Sequence, residues 1–173
     1  MRSRAIPGTS EYLPVIGMGA PGMFYQMPAE GPELPKSIIR TMVDMGGRVM
    51  DTPAFFRPDV PVIGNFINEM GLQDDLFLTG KITVNGKQEG IDHLEKIVAN
   101  LNKDPMDLLV VQNFRDTKNN WPTLKDWKDE GRVRYIGVSR TNDADEGTLE
   151  QFMNDERPDF IMPGYYERGN RNK

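Results

Sequence analysis

The chain has 173 residues, of which 38% are hydrophobic and 27% charged, and its formal net charge is -5. These values indicate a single globular domain over residues 1–173, without an apolar run of about 18 residues that could span a membrane. The negative charge argues against a nucleic-acid partner, the absence of cysteine excludes disulfides and thiolate metal ligands, and the N-terminus lacks a signal-peptide core, so we expect a cytoplasmic protein.

The predicted elements begin with a hairpin over RAIPGTSEYLPVI, residues 4–16, and a first strand at VIGMG, residues 15–19. Three segments then carry apolar residues three and four positions apart, which is the period of an amphipathic helix. These apolar sets are Leu34, Ile38, Met42 and Met45; Val62, Ile63, Phe66, Ile67 and Met70; and Ile91, Leu94, Ile97, Val98 and Leu101. Further strand-like runs begin at Arg48, Leu76, Met106, Val133 and Asp159.

The runs recur at intervals of 26 to 30 residues, which is typical of βαβ units with parallel strands. Such repeats fit an open doubly wound sheet or a (β/α)8 barrel. The turn GMGAPG, residues 17–22, has the glycine spacing of a dinucleotide site, but a proline-rich stretch separates it from the first helix. Because a full barrel needs about 200–250 residues, we predict an incomplete (β/α)8 TIM-type barrel of about six parallel strands with an N-terminal β-hairpin.

Five segments carry a resemblance to a known family. EYLPVIGMG, GGRVMDT, DDLFLTGKI, PTLKDWKDEGRVRYIGVS and PDFIMPGYY resemble successive segments of an aldo-keto reductase. The resemblance implies a TIM-type barrel and NADPH-dependent carbonyl reduction by an Asp, Tyr, Lys and His tetrad at the carboxyl ends of the strands. It also implies a C-terminally truncated member, because the family's last two strands, whose loops hold the cofactor phosphates, have no counterpart.

Two tetrad positions match the family and two depart from it. Asp51 and Lys81 stand where the family's aspartate and lysine stand. Phe56 replaces the tyrosine and has no exchangeable proton, while Gln112 replaces the histidine and is not an acid or base near neutral pH. The resemblance therefore implies a degenerate active site.

The nicotinamide positions also depart from the family. Ser139 matches the serine that holds the nicotinamide carboxamide, but Arg140 replaces an asparagine and Met162 a glutamine. We therefore predict that the chain uses no cofactor, and we assign no metal site.

The candidate site residues form two sets. We assign catalysis to Asp51, Lys81 and Gln112: Lys81 would polarise or bind a carbonyl, Asp51 would orient Lys81, and Gln112 would hydrogen-bond the oxygen. The predicted substrate contacts are Tyr25, Phe55, Phe56, Asn113, Ser139, Arg140 and Tyr165. An inherited ion pair without chemistry also explains Asp51 and Lys81, because removing one partner would strand a buried charge.

Three functions remain open from the sequence. The first is a repurposed, cofactor-independent acid–base enzyme of the cyclase, isomerase or lyase type, acting on a small carbonyl compound. The second is a non-catalytic ligand-binding or interaction module, and the third is an NADPH-dependent oxidoreductase completed by a partner chain. Because an incomplete barrel has open sheet edges, we also expect a homodimer or other homo-oligomer. His93, the sole histidine, is expected on the surface of the third helix.

Overall fold

The computed structural model describes residues 1–20, 31–52, 62–140 and 146–163, with the backbone alone at 146 and 147. The strands are β1 (Ser3–Ala5), β2 (Tyr12–Pro14), β3 (Met18–Gly19), β4 (Val49–Asp51), β5 (Phe77–Ile82), β6 (Met106–Gln112), β7 (Val133–Arg140) and β8 (Phe160–Pro163). The helices are α1 (Glu33–Asp44), α2 (Val62–Glu69), α3 (Lys87–Leu101), α4 (Thr117–Asp129) and α5 (Glu146–Glu156).

Strands β3 to β8 form one parallel sheet in chain order, and β1 and β2 form a separate antiparallel pair. A helix lies between each two successive strands of the sheet from β3 to β8, which is the repeat of a βαβ fold. The sheet curls into a half-barrel, so the predicted incomplete barrel with six parallel strands and an N-terminal hairpin is confirmed.

The two faces of the sheet bury different sets of side chains, because successive residues of a strand point to opposite faces. The outer face packs against the helices and includes Leu78, Leu109, Val111, Ile136 and Val138. The inner face includes Phe77, Leu108 and Val110, with Val49, Tyr135, Phe160 and Met162 packed against them. Burial on both faces explains why these strands are almost continuously apolar in sequence.

Helix α3 lies close to β5 because Gly80 has no side chain. A Cβ atom at Gly80 would lie 2.6 Å from Cγ2 of Ile97, which is closer than two carbon atoms can pack. This approach brings the third turn of α3, which carries Ile97, against β5.

The N-terminal hairpin covers the amino end of the sheet. Ile6 packs against Phe77 and Leu108, which lie near the starts of β5 and β6. The carboxylate of Glu11 accepts a hydrogen bond from the hydroxyl of Tyr135 at 2.8 Å and pairs with Arg134. The hairpin therefore lies opposite the end of the sheet where the candidate site residues are expected.

A buried carboxylate completes this amino end. Asp107 is 2% exposed, and its Oδ1 accepts a hydrogen bond from Nη1 of Arg134 at 2.7 Å. Its Oδ2 accepts a hydrogen bond from the backbone nitrogen of Leu78 at 2.8 Å and forms an ion pair with Nζ of Lys103 at 2.7 Å. We call the group Glu11, Lys103, Asp107, Arg134 and Tyr135 the base network, where base means the amino end of the sheet and not a proton acceptor.

The prediction of the apolar face of the first helix is right for two of its four residues and wrong for the other two. Ile38 and Met42 pack against the core, but Leu34 is 60% exposed and Met45 is 69% exposed. Leu34 lies in the first turn of α1 and Met45 follows its last residue, so neither faces the sheet. Ile39, adjacent to the predicted stripe, is the fully buried residue instead.

Two strands lie at the edges of the six-stranded sheet. Among the described strands, β3 and β8 each pair with one neighbour. Self-association through these edges stays a prediction, as does the assignment of the whole chain to one domain. No helix in the described ranges is long and apolar enough to cross a membrane.

Candidate functional site

The candidate site lies on the inner face of the sheet at the carboxyl ends of its strands. Lys81 follows Phe77 by four residues on β5, and Gln112 follows Val110 by two on β6. Ser139 follows Tyr135 by four residues on β7, so the alternation of side chains places all three on the inner face. Gln112 and Ser139 are direct partners in the register of β6 and β7.

Asp51 and Lys81 form an ion pair across β4 and β5. Nζ of Lys81 lies 2.7 Å from Oδ2 of Asp51, and it also donates to the backbone oxygen of Thr52 at 3.0 Å. The Lys81 side chain is 14% exposed and that of Asp51 is 35% exposed. Because an ammonium group has three N–H donors, these two bonds leave one donor that is not used among the residues that the structure describes.

Thr79 fixes the other side of the Asp51 carboxylate. Its hydroxyl donates to Oδ1 of Asp51 at 2.7 Å. The backbone nitrogen of Thr52 donates to the same hydroxyl oxygen at 3.3 Å, and the Thr52 hydroxyl donates to the backbone oxygen of Thr79. Both oxygens of Asp51 are therefore engaged, which makes it an orienting group for Lys81.

Gln112 and Ser139 carry polar atoms whose hydrogen-bonding capacity is not used within the described ranges. Oε1 of Gln112 and Oγ of Ser139 are buried, and neither has a hydrogen-bond partner there. Ser139 is 1% exposed. A buried polar atom without a partner costs about 1–3 kcal/mol, so a ligand that bonds to these two atoms would recover that free energy.

Two other predicted contacts have different surroundings. Asn113 follows β6 with a φ of 52°, and its backbone nitrogen donates to the backbone oxygen of Ser139 at 2.8 Å. Arg140 is 7% exposed, but it alternates with Ser139 and so belongs to the face of β7 that carries Ile136 and Val138. Substrate contacts by Asn113 and Arg140 stay predictions.

Four predicted substrate contacts lie outside the described residues. These are Tyr25, Phe55, Phe56 and Tyr165. Their roles stay predictions on the sequence alone. Among the described residues, no group of three or more His, Asp or Glu side chains could hold a metal ion.

The expectation that His93 lies on the surface is wrong. His93 is half-buried, and its Nε2 lies 3.1 Å from the backbone oxygen of Lys81. Burial lowers the pKa of the imidazole, and nearby Lys96 lowers it further, while the hydrogen bond to Lys81 opposes both. His93 shares a helix face with Gly90 and Ile97, three residues before and four after it, and this spacing is the signal that could have indicated its burial.

Sequence reasoning also missed Asn120. This side chain is fully buried, and its amide nitrogen donates to the backbone oxygens of Val84 and Arg115. No sequence pattern signals this role, because the two acceptors are backbone atoms whose positions depend on the folded loops.

Comparisons with known proteins agree with this architecture. The model of the aldo/keto reductase family matches residues 16–162. Similar solved structures include an aldo/keto reductase from Brucella melitensis, at 23% identity and a TM-score of 0.67, over 88% of this chain and 59% of that one. A putative aldo-keto reductase from Pseudomonas aeruginosa has 19% identity and a TM-score of 0.74, over 93% of this chain and 66% of that one.

A third similar structure is an aldo-keto reductase from Klebsiella pneumoniae in complex with NADPH. It has 21% identity and a TM-score of 0.64, over 81% of this chain and 50% of that one. The chain thus spans between half and two thirds of the length of these three structures. No match was found among the curated proteins.

Proposed function

Since the chain belongs to the aldo-keto reductase family, we propose that its barrel end binds a small carbonyl compound and that Lys81 acts on it as an acid without a nicotinamide cofactor. The observation that carries this proposal is the arrangement of the inner face at the carboxyl end of the sheet. There the oriented ammonium group of Lys81 has one donor that is not used within the described ranges. It shares the face with two buried polar atoms that have no partner in the same ranges, the acceptor Oε1 of Gln112 and the hydroxyl of Ser139.

Each side chain has a defined part in this proposal. The remaining N–H of Lys81 donates to the carbonyl oxygen and stabilises the negative charge that develops there. Asp51 and the Thr52 backbone oxygen hold Nζ in place. Polarising a carbonyl in this way favours transfer of a proton from the adjacent carbon to a solvent water, and a proton from solvent then completes the product. The reaction class is therefore isomerisation, cyclisation or elimination next to a carbonyl.

The residues at the nicotinamide positions support a reaction without that cofactor. Ser139 offers one hydroxyl, but the inner-face residue at the end of β8 is Met162, whose thioether is only a weak acceptor. Phe56 has no hydroxyl to serve as the family's proton donor. These residues fit a nicotinamide carboxamide poorly, so no step is assigned to NADPH.

Two other functions follow from the same fold. A binding module would use the same polar atoms without turnover, and Asp51 and Lys81 would then be a structural ion pair. An oxidoreductase completed by a partner chain would need NADPH for turnover. Both differ from the proposed enzyme in what Lys81 and NADPH do, which makes them separable by experiment.

The test measures conversion of a fixed panel of carbonyl compounds by NMR, with and without added NADPH. The panel contains methylglyoxal, hydroxyacetone, diacetyl and cyclohexanone. We expect turnover of at least one compound without NADPH, and its loss by at least a hundredfold in Lys81→Met with the fold intact by circular dichroism. Lys125→Met is the matched control. Lys125 also forms an ion pair, with Glu156, but this pair lies on exposed helix surfaces.

Three outcomes would contradict the proposal. Equal turnover in Lys81→Met and wild type would exclude catalysis by this residue. Binding of the panel compounds without any conversion would indicate the binding module. Conversion only in the presence of NADPH would indicate an oxidoreductase.

A further inference from the structure

Two loops at the carboxyl end of the sheet are joined by one buried side chain. The first loop follows Lys81 on β5 and the second follows Gln112 on β6. Nδ2 of Asn120, on α4, donates to the backbone oxygen of Val84 in the first loop at 2.9 Å and to that of Arg115 in the second at 2.7 Å. Asn120 is 0% exposed, so water does not compete for these bonds.

A second contact joins the same loops. Oδ2 of Asp116, in the second loop, accepts a hydrogen bond from the backbone nitrogen of Gly86, in the first loop, at 2.6 Å. This bond is the largest of the causes that lower the pKa of Asp116. His93 forms a hydrogen bond with the backbone oxygen of Lys81 itself. Hydrogen bonds at Lys81, Val84 and Gly86 therefore fix this segment.

The second loop has a backbone that needs outside support. Asn113, Phe114 and Asp116 have φ values of 52°, 55° and 45°. This left-handed conformation is unfavourable for a residue with a Cβ atom, and less so for asparagine and aspartate than for phenylalanine. Unfavourable backbone conformations of this kind persist where surrounding contacts enforce them, and they cluster at functional sites.

A glycine in the neighbouring helix makes room for Asn120. Gly90 lies within α3, where glycine is less favourable than alanine. A Cβ atom at Gly90 would lie 2.5 Å from Oδ1 of Asn120 and 3.3 Å from Cδ1 of Ile82. Alanine at this position would therefore displace the Asn120 amide.

We propose that Asn120 is a positioning residue for the candidate site: by tying together the loops that follow β5 and β6, it fixes Lys81 relative to Gln112. This inference rests on the proposed function for its catalytic meaning. The coupling of the two loops does not depend on a substrate, so it can be tested by itself.

The first test uses Asn120→Leu, which keeps a side chain of similar size and removes both donors. NMR would follow the Gln112 side-chain amide and the backbone amides of Lys81 and Gly86, with the backbone amide of Leu78 at the base network as the internal reference. We expect the exchange of the Gly86 amide to accelerate at least tenfold and the Gln112 and Lys81 signals to shift, while Leu78 stays unchanged. A structural role limited to α4 would leave the Gln112 and Lys81 signals in place and would overturn the proposal.

The second test uses Gly90→Ala, which leaves Asn120 present but displaces it. We expect Gly90→Ala to lower the Tm and to shift the same Gln112 and Lys81 signals. In an Asn120→Ala background, the same change should raise the Tm instead, because the clash is gone and the helix gains an alanine. An equal loss of Tm in both backgrounds would contradict the proposal.

The catalytic readout separates this inference from the proposed function. For a panel compound that the wild type converts, Asn120→Leu should lower kcat at least tenfold with a smaller change in KM. If the wild type converts nothing while the NMR signals shift as expected, the proposed function fails and the coupling stands. If the wild type is active and Asn120→Leu keeps full kcat, the positioning role fails.

Discussion

The two ends of the same sheet differ in how completely their polar groups are paired. At the base network, both oxygens of Asp107 accept hydrogen bonds, from Leu78 and Arg134, and the carboxylate also forms an ion pair with Lys103. At the carboxyl end, Oε1 of Gln112 and Oγ of Ser139 are buried without a partner in the described ranges. Within one half-barrel, the buried carboxylate at the amino end is fully paired, whereas two buried polar atoms at the carboxyl end have no partner in the described ranges and could bond to a ligand.

The backbone shows the same contrast. The hairpin that covers the base makes regular antiparallel pairs between β1 and β2. The loop that follows Gln112 holds three non-glycine residues in the left-handed region, at a cost that side chains from a neighbouring helix offset. Single left-handed residues also occur before strands at the amino end, at Asn102 and Arg157. The difference is that the carboxyl end holds three of them within one loop, at the end where sites of βα barrels are generally placed.

The largest expected effect comes from removing the buried carboxylate of the base network. Asp107→Ala leaves Lys103 and Arg134 without their shared buried carboxylate, so we expect the free energy of unfolding to fall by about 3–5 kcal/mol. Urea denaturation followed by circular dichroism would measure it. The matched control is Asp74→Ala, an exposed aspartate at the same end, which should change the value by less than about 0.5 kcal/mol. A decrease in the free energy of unfolding below about 1 kcal/mol for Asp107→Ala would show that the base network is not what stabilises the amino end of the sheet.

A change of opposite sign is expected at the carboxyl end. Ser139→Ala removes a buried hydroxyl without a partner in the described ranges, so the free energy of unfolding should rise by about 1 kcal/mol. Thr79→Ala is the matched control, because its hydroxyl is bonded to Asp51, and it should lower the same quantity by about 2 kcal/mol. If both variants lose stability equally, the hydroxyl of Ser139 is satisfied and the contrast between the ends disappears.

The smallest expected effect concerns pH and His93. Burial holds the pKa of His93 below its usual value of 6.5, so the unfolded chain takes up this proton first as the pH falls. The part of the free energy of unfolding that depends on neutral His93 is therefore fully present above pH 6.5. It is lost as the pH falls below 6.5 and through the lowered pKa of the folded state. Denaturation at a series of pH values should show that His93→Gln has a flatter profile than the wild type over this range. A wild-type profile that is no steeper than that of His93→Gln would contradict the burial of the imidazole.

Most of the fold could be predicted from the sequence because its signals are periodic. The runs at Leu76, Met106 and Val133 recur at the spacing of βαβ units, and the structure places them in neighbouring parallel strands. The proximity of Asp51 and Lys81 follows from the same logic, since both come at the carboxyl ends of adjacent strands.

The remaining features could not be predicted because they depend on contacts between distant parts of the chain. The spacing of His93 from Gly90 and Ile97 could have indicated that it is buried. The hydrogen bonds of His93 and Asn120 could not be predicted, because they go to backbone oxygens, which every residue carries. The hairpin's position at the base depends on the contact between Glu11 and Tyr135. In the first helix the apolar period includes Leu34 and Met45, whose places at and beyond the helix ends leave them exposed.

The contact between Glu11 and Tyr135 also has a consequence for how the protein is made. These residues are 124 positions apart, so the hairpin leaves the ribosome long before β7 exists. At a synthesis rate of about 5–20 residues per second, the interval is on the order of ten seconds. During that time the apolar side chain of Ile6 has no finished sheet to cover, so the contacts of the hairpin with β5, β6 and β7 can form only late in synthesis.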